Sequence, residues 1–477
     1  MKRLQHYIAG HWVPSAVDSP PFAVINPATE QVVAELAMGS ATDVDRAVKA
    51  ARDAFPAYAA TTLEARIALL GRLKAIFERR YEEMVAAITT EMGAPHDLSS
   101  RSQAACGPGH IETTVAAARE LDWESKSGRS ANVVREPVGV CALITPWNWP
   151  INQLAAKIAP ALVAGCTVVL KPSEQSPLSA QLFAEFVDEA GFAPGVFNMV
   201  HGTGPTVGAA LSVHPDVDMV SFTGSTRAGI SVAKAAADTV KRVAQELGGK
   251  SANIVFADAD LEAAVKRGVL HCFNNSGQSC NAPTRMLVED SVYDRAVAIA
   301  EKVASAVKVG DPTQSGNHLG PVVSKLQFDR IERLIDIGIA EGARLVVGGP
   351  GKPPGFETGY FVRPTVFADV NNQMTIAREE IFGPVLCILR FRTLEEAIEI
   401  ANDTPYGLAA YVQTADLGKA RAVARRLRAG SVHLNGAGQD YVSPFGGFKQ
   451  SGNGREWGKH GLLEYLETKS INGFYAA

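Results

Sequence analysis

At 477 residues the chain exceeds what one ordinary hydrophobic core supports, so two or three domains are expected. Its 46% hydrophobic and 20% charged residues are those of a globular protein, and a net charge of −4 excludes the basic footprint of a nucleic-acid binder. Six cysteines without metal-ligand spacing point to free thiols in a reducing compartment, with no metal site and a cytoplasmic location as the expectation.

Residues 1–15 carry basic side chains but no apolar core of signal-peptide length. The first expected elements are a short strand pair, Tyr7 to Val13 with Val24 to Ile25, and a turn at Asn26-Pro27. Ser40-Ala41-Thr42-Asp43 is a helix start, and Val44 to Tyr58 keeps the helical period. A second long helix is expected over Leu63 to Thr90. Glu124 to Val134 turns polar and then β-branched, an excursion from the first core. From Val138 the pattern becomes strand–turn–helix, with strands at Val138 to Ile144, Thr167 to Leu170, Val196 to Val200 and Met219 to Phe222. The helices between them are expected at Gln153 to Leu162, Pro177 to Ala190, Thr206 to Ser212 and Arg227 to Ala237. The apolar run Ala161 to Leu170 is too short to span a membrane and reads as a helix end followed by a buried strand. Such alternation implies a doubly wound, mostly parallel sheet that binds ligands at the carboxyl ends of its strands. A second α/β pattern starts after Gly249, with a strand at Asn253 to Phe256, a helix at Leu261 to Asn274 and a strand at Arg285 to Val288. Tyr465 to Phe474 is strand-like again.

Several short stretches could carry chemistry. In Asn275-Ser276-Gly277-Gln278-Ser279-Cys280-Asn281-Ala282-Pro283 one cysteine sits among small and polar residues, which reads as an exposed turn with little steric cover. Asn148, between Trp147 and Trp149 and flanked by prolines, is either a rigid amide donor for an oxyanion or a turn residue in an aromatic cluster. Glu246, ahead of two glycines, is either a general base or a surface glutamate at a helix end. Phe222-Thr223-Gly224-Ser225-Thr226 follows a strand and opens a helix, so it is an ordinary N-cap or a pyrophosphate seat. Lys171 and Glu174 sit at another strand end and could hold ribose hydroxyls or form a solvated loop pair. The glycines of 202–208 approach a dinucleotide fingerprint, but the third falls one residue late.

The ordered set PWNWP, KPSE, FTGST, ELGGK, GQSC, EEIFGP and PFGGFKQSG resembles the NAD(P)-dependent aldehyde dehydrogenase superfamily over nearly the whole chain. The resemblance implies Cys280 as nucleophile, Glu246 as general base, and Asn148 with the Cys280 amide as oxyanion hole. It implies Lys171 and Glu174 at the adenosine ribose, Gly224 and Ser225 at the pyrophosphate, and Glu380 and Phe382 at the nicotinamide. Lys157 and Glu456 match a proton-relaying pair and read equally as a buried structural ion pair. NAD is the expected cofactor, with NADP possible, because Glu174 faces the ribose 2′-hydroxyl. The family often has an acidic residue where this chain has Arg227, and large aromatics where it has Ala156 and Gln439.

The implied fold is α/β in three parts. These are a Rossmann-like cofactor domain (1–121 and 143–247), a catalytic domain (248–441), and a small bridging sheet (122–142 and 442–477) that makes a homodimer or homotetramer. The implied reaction oxidises a small-molecule aldehyde to its acid by way of a thiohemiacetal and a hydrolysed thioester. A semialdehyde dehydrogenase for a carboxylated substrate and a catalytically retired structural member are the alternatives, and no nucleic-acid or membrane partner is expected.

Overall fold

The computed structural model describes residues 3–475. Its first large sheet has eight strands, five of them parallel, in the spatial order Arg242–Glu246, Met219–Thr223, Val140–Ile144, Thr167–Lys171, Phe197–Met199. Chain order reverses between Val140–Ile144 and Met219–Thr223. That is the switch point, where the loops leaving two neighbouring strands diverge and open a crevice at the carboxyl edge. Every residue of Val140–Ile144 and Thr167–Lys171 is buried, and helices cover both faces, so the strands read as continuous apolar runs rather than alternating ones. Helix Pro150–Ala164 starts with proline at its first position and stops at Gly165 in the left-handed region (φ 99°).

The second large sheet runs Arg344–Val347, Thr365–Ala368, Val385–Phe391, Arg285–Glu289, Ala252–Val255, Ala409–Gln413, Ser431–Leu434, parallel except for its first strand. It has its own apolar layers on either face. Only residues 247–251 separate the carboxyl end of Arg242–Glu246 from the amino end of Ala252–Val255. The carboxyl edge of the first sheet therefore confronts the amino edge of the second. A third sheet joins Glu124–Ser127, Ala131–Pro137 and Leu466–Ile471, all antiparallel. No helix among the described residues is long and apolar enough to cross a membrane.

The fold departs from the sequence expectations in four places. His6–Ile8 and His11–Val13 pair with each other at the edge of the first sheet, while Phe22–Ile25 pairs with Val32–Leu36 in a separate small sheet. The expected helix over Leu63 to Thr90 breaks at Arg80 (φ −103°, ψ 23°) into Leu63–Arg79 and Tyr81–Met92. Glu246 ends a β-strand rather than a helix. Within 442–477 only the last strand joins the third sheet, since Gly452–Asn453 pairs instead with Gln245 and Glu246.

Candidate functional site

The motif residues converge on the gap between the two facing edges. Asn148 follows strand Val140–Ile144 and is 3% exposed. Its Nδ2 donates to the Gln278 carbonyl (3.1 Å), and its own carbonyl accepts from Asn275 Nδ2 (2.8 Å). Trp149 Nε1 donates to Ser279 Oγ at 2.9 Å. Gln278 locks the turn from inside: its Nε2 donates to Asn275 O (3.0 Å), and its Oε1 accepts the Val323 amide (2.9 Å). The chain bends sharply because Asn275, Ser276 and Gly277 are all left-handed (φ 54°, 54° and 75°). Gly277 admits no side chain, since a Cβ there would sit 2.0 Å from the Gly383 carbonyl.

This turn is not the exposed one expected from the sequence. Residues 275–278 are buried, and Ser279 and Cys280 are half-buried. Burial, then the negative charges of Glu380 and Glu246, push the Cys280 thiol above its ordinary value, while the backbone amides of Asn281 and Cys280 pull it down. The other five cysteines are free and buried.

Glu246 is 4% exposed, which excludes the surface reading. Its carboxyl is held well above the usual carboxylate range by burial first and Glu456 second, against the pull of Lys157 and Arg455. Its Oε2 has no hydrogen-bond partner. Lys157, in the middle of the apolar helix Pro150–Ala164, makes a buried ion pair with Glu456 Oε1. Glu380 accepts the Gly249 amide at Oε1 (2.9 Å), and burial raises its carboxyl to about 7. Phe382 is left-handed (φ 59°) and meets Trp147 edge-on, ring centroids 5.4 Å apart.

At the far side of the switch point, Lys171 is almost fully buried. Its Nζ donates to Pro172 O (2.7 Å) and Gly202 O (2.9 Å) and lies 3.4 Å from Glu174 Oε2. The solvated-pair reading fails for Lys171, while the Glu174 side chain keeps 26% exposure. Ser225 caps helix Thr226–Ala236 through the Ala228 amide (3.3 Å) and stands exposed at that helix's start, next to Gly224. A helix start of this kind, with unpaired first-turn amides and the positive end of the dipole, suits a pyrophosphate. The glycines of 202–208 form a tight π-type turn, Gly204–Gly208, ahead of helix Ala209–Val213, with Gly202 serving only as an acceptor for Lys171.

Sequence reasoning missed the roles of Asn275 and Gln278 as the turn's internal braces. The signal available was an amide residue before Ser-Gly, a type that tolerates the left-handed region. It also missed Arg455, whose charge acts on Glu246, and Arg330, whose Nη2 holds the Glu380 carbonyl (2.6 Å). Nothing local announces either one.

The family profile described as Aldehyde dehydrogenase family matches residues 12–471. The chain is 55% identical to 3-succinoylsemialdehyde-pyridine dehydrogenase of a Pseudomonas species over 471 residues, covering 98% of each chain. Among solved structures it is similar to aldehyde dehydrogenase C from Pseudomonas syringae, a cysteine-to-alanine variant with NAD+ and octanal (TM-score 0.98, 53% identity, covering 99% of this chain and 97% of that one). It is also similar to the NAD+ complex of an aldehyde dehydrogenase from Bacillus cereus (TM-score 0.95, 39% identity, covering 98% and 96%).

The closeness of the two edges sets a test. A Cβ on Gly249 would lie 2.3 Å from the Cys280 carbonyl, a contact that only backbone movement relieves. Gly249→Ala is expected to cost about 1–3 kcal/mol of stability. Gly71→Ala, in an exposed helix interior where a Cβ meets nothing, is expected to gain about 0.5–1 kcal/mol. Denaturant midpoints of the two variants, measured together, check both signs.

Proposed function

The chain belongs to the aldehyde dehydrogenase family and oxidises an aldehyde to its carboxylic acid with NAD as cofactor, and on that premise we propose how its residues divide the work. Cys280 attacks the aldehyde carbon. Asn148 and the Cys280 backbone N–H hold the oxyanion that forms. The observation that carries this reading is the tie between Asn148 and the Cys280 turn, which fixes amide and nucleophile relative to one another. The thiohemiacetal gives a thioester once hydride has left, and Glu246 then activates the water that releases the acid. When bound, NAD would supply the hydride acceptor and a positive ring that favours the thiolate. Lys171 and Glu174 would hold its ribose, Gly224 and Ser225 its pyrophosphate, and Glu380 and Phe382 its nicotinamide end.

Burial and the nearby carboxylates raise the Cys280 thiol, and a positive charge beside it would offset that. With Glu246 and Glu380 nearby, an ionised Cys280 faces negative neighbours in a low-dielectric gap. Lys157 and Glu456 act on Glu246 through their charges, one lowering and one raising its pKa.

Larger or functionalised aldehydes fit the pocket better than acetaldehyde. Ala156 leaves space where the family often has an aromatic, and Gln439 brings polarity. The octanal and pyridine-semialdehyde named for the Pseudomonas relatives support that size class. We divide the chain into three domains at 1–121 with 143–247, 248–441, and 122–142 with 442–477, a division supported by the two large sheets and the small one except at 140–142 and Gly452–Asn453, which pair in the first sheet. The outer strands of that small sheet, Glu124–Ser127 and Leu466–Ile471, are exposed along nearly their whole length, which supports a homodimer or homotetramer built there. Six free thiols support a reducing, cytoplasmic setting.

Cys280→Ala is expected to abolish NADH formation with NAD binding retained, and Glu246→Gln to give one turnover's burst of NADH and then stall. Rapid-mixing absorbance at 340 nm reads both. A Glu246 variant with no burst assigns the glutamate to thiol activation instead.

The pH dependence follows from the same charges. A base must be ionised to work, and Glu246 is held above the usual carboxylate range, so single-turnover deacylation should rise with pH through that elevated value. Glu456→Gln removes a repelling charge and leaves Lys157 attractive, moving the acid limb to lower pH. The double variant Lys157→Met/Glu456→Gln removes both effects and should return the limb toward its starting point. Profiles of all three proteins decide it.

NAD is expected to outperform NADP in kcat/KM. A 2′-phosphate would bring a charge of about −1.5 to −2 against the Glu174 carboxylate. Such repulsion costs on the order of 1 kcal/mol or more at contact distance. Lys171 relieves little, because its ammonium is already engaged by two carbonyls. Glu174→Gln should narrow the ratio, and a wild-type ratio favouring NADP would defeat the assignment.

A further inference from the structure

Strand Ala409–Gln413 lies inside the second sheet, with Ala252–Val255 on one side and Ser431–Leu434 on the other. Ala410 and Val412 face one apolar layer of that sheet, so Tyr411 between them projects to the opposite face. His433 is its register partner on the next strand, and registered parallel neighbours point the same way, so the two rings stack (centroids 4.8 Å, 16°). His271, from helix Leu261–Phe273, meets the same ring edge-on (5.1 Å, 83°). The phenol is thus held on two sides and is 5% exposed. Its hydroxyl donates to the Asn281 carbonyl at 2.9 Å. Burial, then Cys280, push that hydroxyl up, so it keeps its proton and remains a donor.

Asn281 follows the nucleophile, and its backbone amide is one of two that pull the Cys280 thiol down. The amide and the carbonyl of one residue are separated by only two soft dihedrals, so clamping the carbonyl restricts where the N–H points. The turn's own bonds, Ala282 N to Ser279 O (3.1 Å) and Thr284 N to Ala282 O (2.8 Å), leave the Asn281 carbonyl untouched. Among the described residues it accepts from Tyr411 alone.

We propose that Tyr411 is a positioning residue for the nucleophile: its hydroxyl, by holding the Asn281 carbonyl, keeps the Asn281 amide turned toward Cys280 Sγ. Tyr411 acts through Asn281, and the His271 and His433 rings fix the phenol in turn. Charge does not explain the tie. The carboxyls acting on the thiol are Glu380 and Glu246, which belong to other segments. Burial holds both histidines below their ordinary values, His271 at about 4, so both are neutral at neutral pH and above. Arg267 is exposed, and its Nη2 is on Gln413 Oε1 (2.9 Å). Loss of the hydroxyl therefore reaches the thiol through the amide.

The inference rests on Cys280 as the nucleophile. In the full-length protein, Tyr411→Phe keeps the ring and its stacking and removes only the hydroxyl. Alkylation by iodoacetamide, without NAD or aldehyde and with the labelled residue located by mass spectrometry, reads the Cys280 thiol directly. Its rate at about pH 8 should fall at least about threefold, as one lost hydrogen bond implies, and the whole pH profile should move to higher pH. The first-turnover burst of NADH should slow by a similar factor. Aldehyde KM and acid release from the preformed acyl-enzyme should stay within about twofold, because a different group, Glu246, serves that later step. Ile254→Val, a core change in the neighbouring strand, weakens the same sheet without touching the hydroxyl, and its profile should coincide with wild type. Thermal melts of both variants confirm that each is folded. An unmoved Tyr411→Phe profile overturns the proposal. So does an equal shift in Ile254→Val, or a Tyr411→Phe variant in which acid release falls as much as the burst. Cys280→Ala protein that still forms NADH is a different result, which removes the nucleophile reading and this one with it.

Discussion

The hydrogen bonds between Asn148 and the turn 275–278 couple two sheets that share no strand. Asn148 belongs to the first sheet's carboxyl edge and the turn to the second sheet's amino edge. Three amide side chains and three carbonyls close the knot between them. Gln103 Nε2 (on Asn275 Oδ1, 2.9 Å) and the Val323 amide extend it into two further segments. All of these groups are buried, so an opened bond exposes an unsatisfied amide to a low-dielectric interior rather than to water. That penalty keeps Cys280 in register with the crevice of the first sheet. The positions of Trp147, Trp149 and Phe382 follow from it, since their rings and the indole N–H pack on or bond to the same loops.

The price of bringing two edges together is charge crowding. Cys280, Glu246 and Glu380 are three acids around one gap, and the shift of each is led by its own burial. Their ionisations oppose one another, because every added negative charge raises the next pKa. Lys157 and Arg455 pull the Glu246 carboxyl down, and Lys157 is committed to Glu456. In a site built this way burial holds all three acids above their ordinary values. Positive charge entering from the crevice side then has a large effect, because little solvent screens it.

How much of this was legible in the sequence varied with how local each feature is. The motifs at strand ends were readable because turns demand small, polar or left-handed-tolerant residues wherever they occur. Strand Arg242–Glu246 was not readable. Its RVAQE sequence neither alternates nor runs apolar, and it is a strand because Met219–Thr223 and Gly452–Asn453 pair with its two sides. The break at Arg80 was hidden by residues on both sides that all favour helix. The resemblance supplied the residue roles, but it did not announce the burial of the Cys280 turn. That burial comes from Gln278 reaching Val323, a contact across 45 residues.

The Lys157–Glu456 pair ties these strands of argument together. Placing a lysine inside an otherwise apolar helix is costly, and its pairing offsets that cost without exceeding what an apolar pair would give. Stability alone therefore explains the pair poorly. A relay through it would have to break the contact between the Lys157 ammonium and Glu456 Oε1. An electrostatic role meets neither objection. The pair is a dipole beside Glu246 whose two ends pull its pKa in opposite directions, leaving burial as the leading cause of the shift. Loop 445–456 carries Glu456 and brings Gly446 against Glu246 Oε1, where a Cβ would stand at 2.7 Å. One segment thus presses on the carboxyl and sets the field around it. The depth of burial that this segment sets then leads the acidity of the carboxyl.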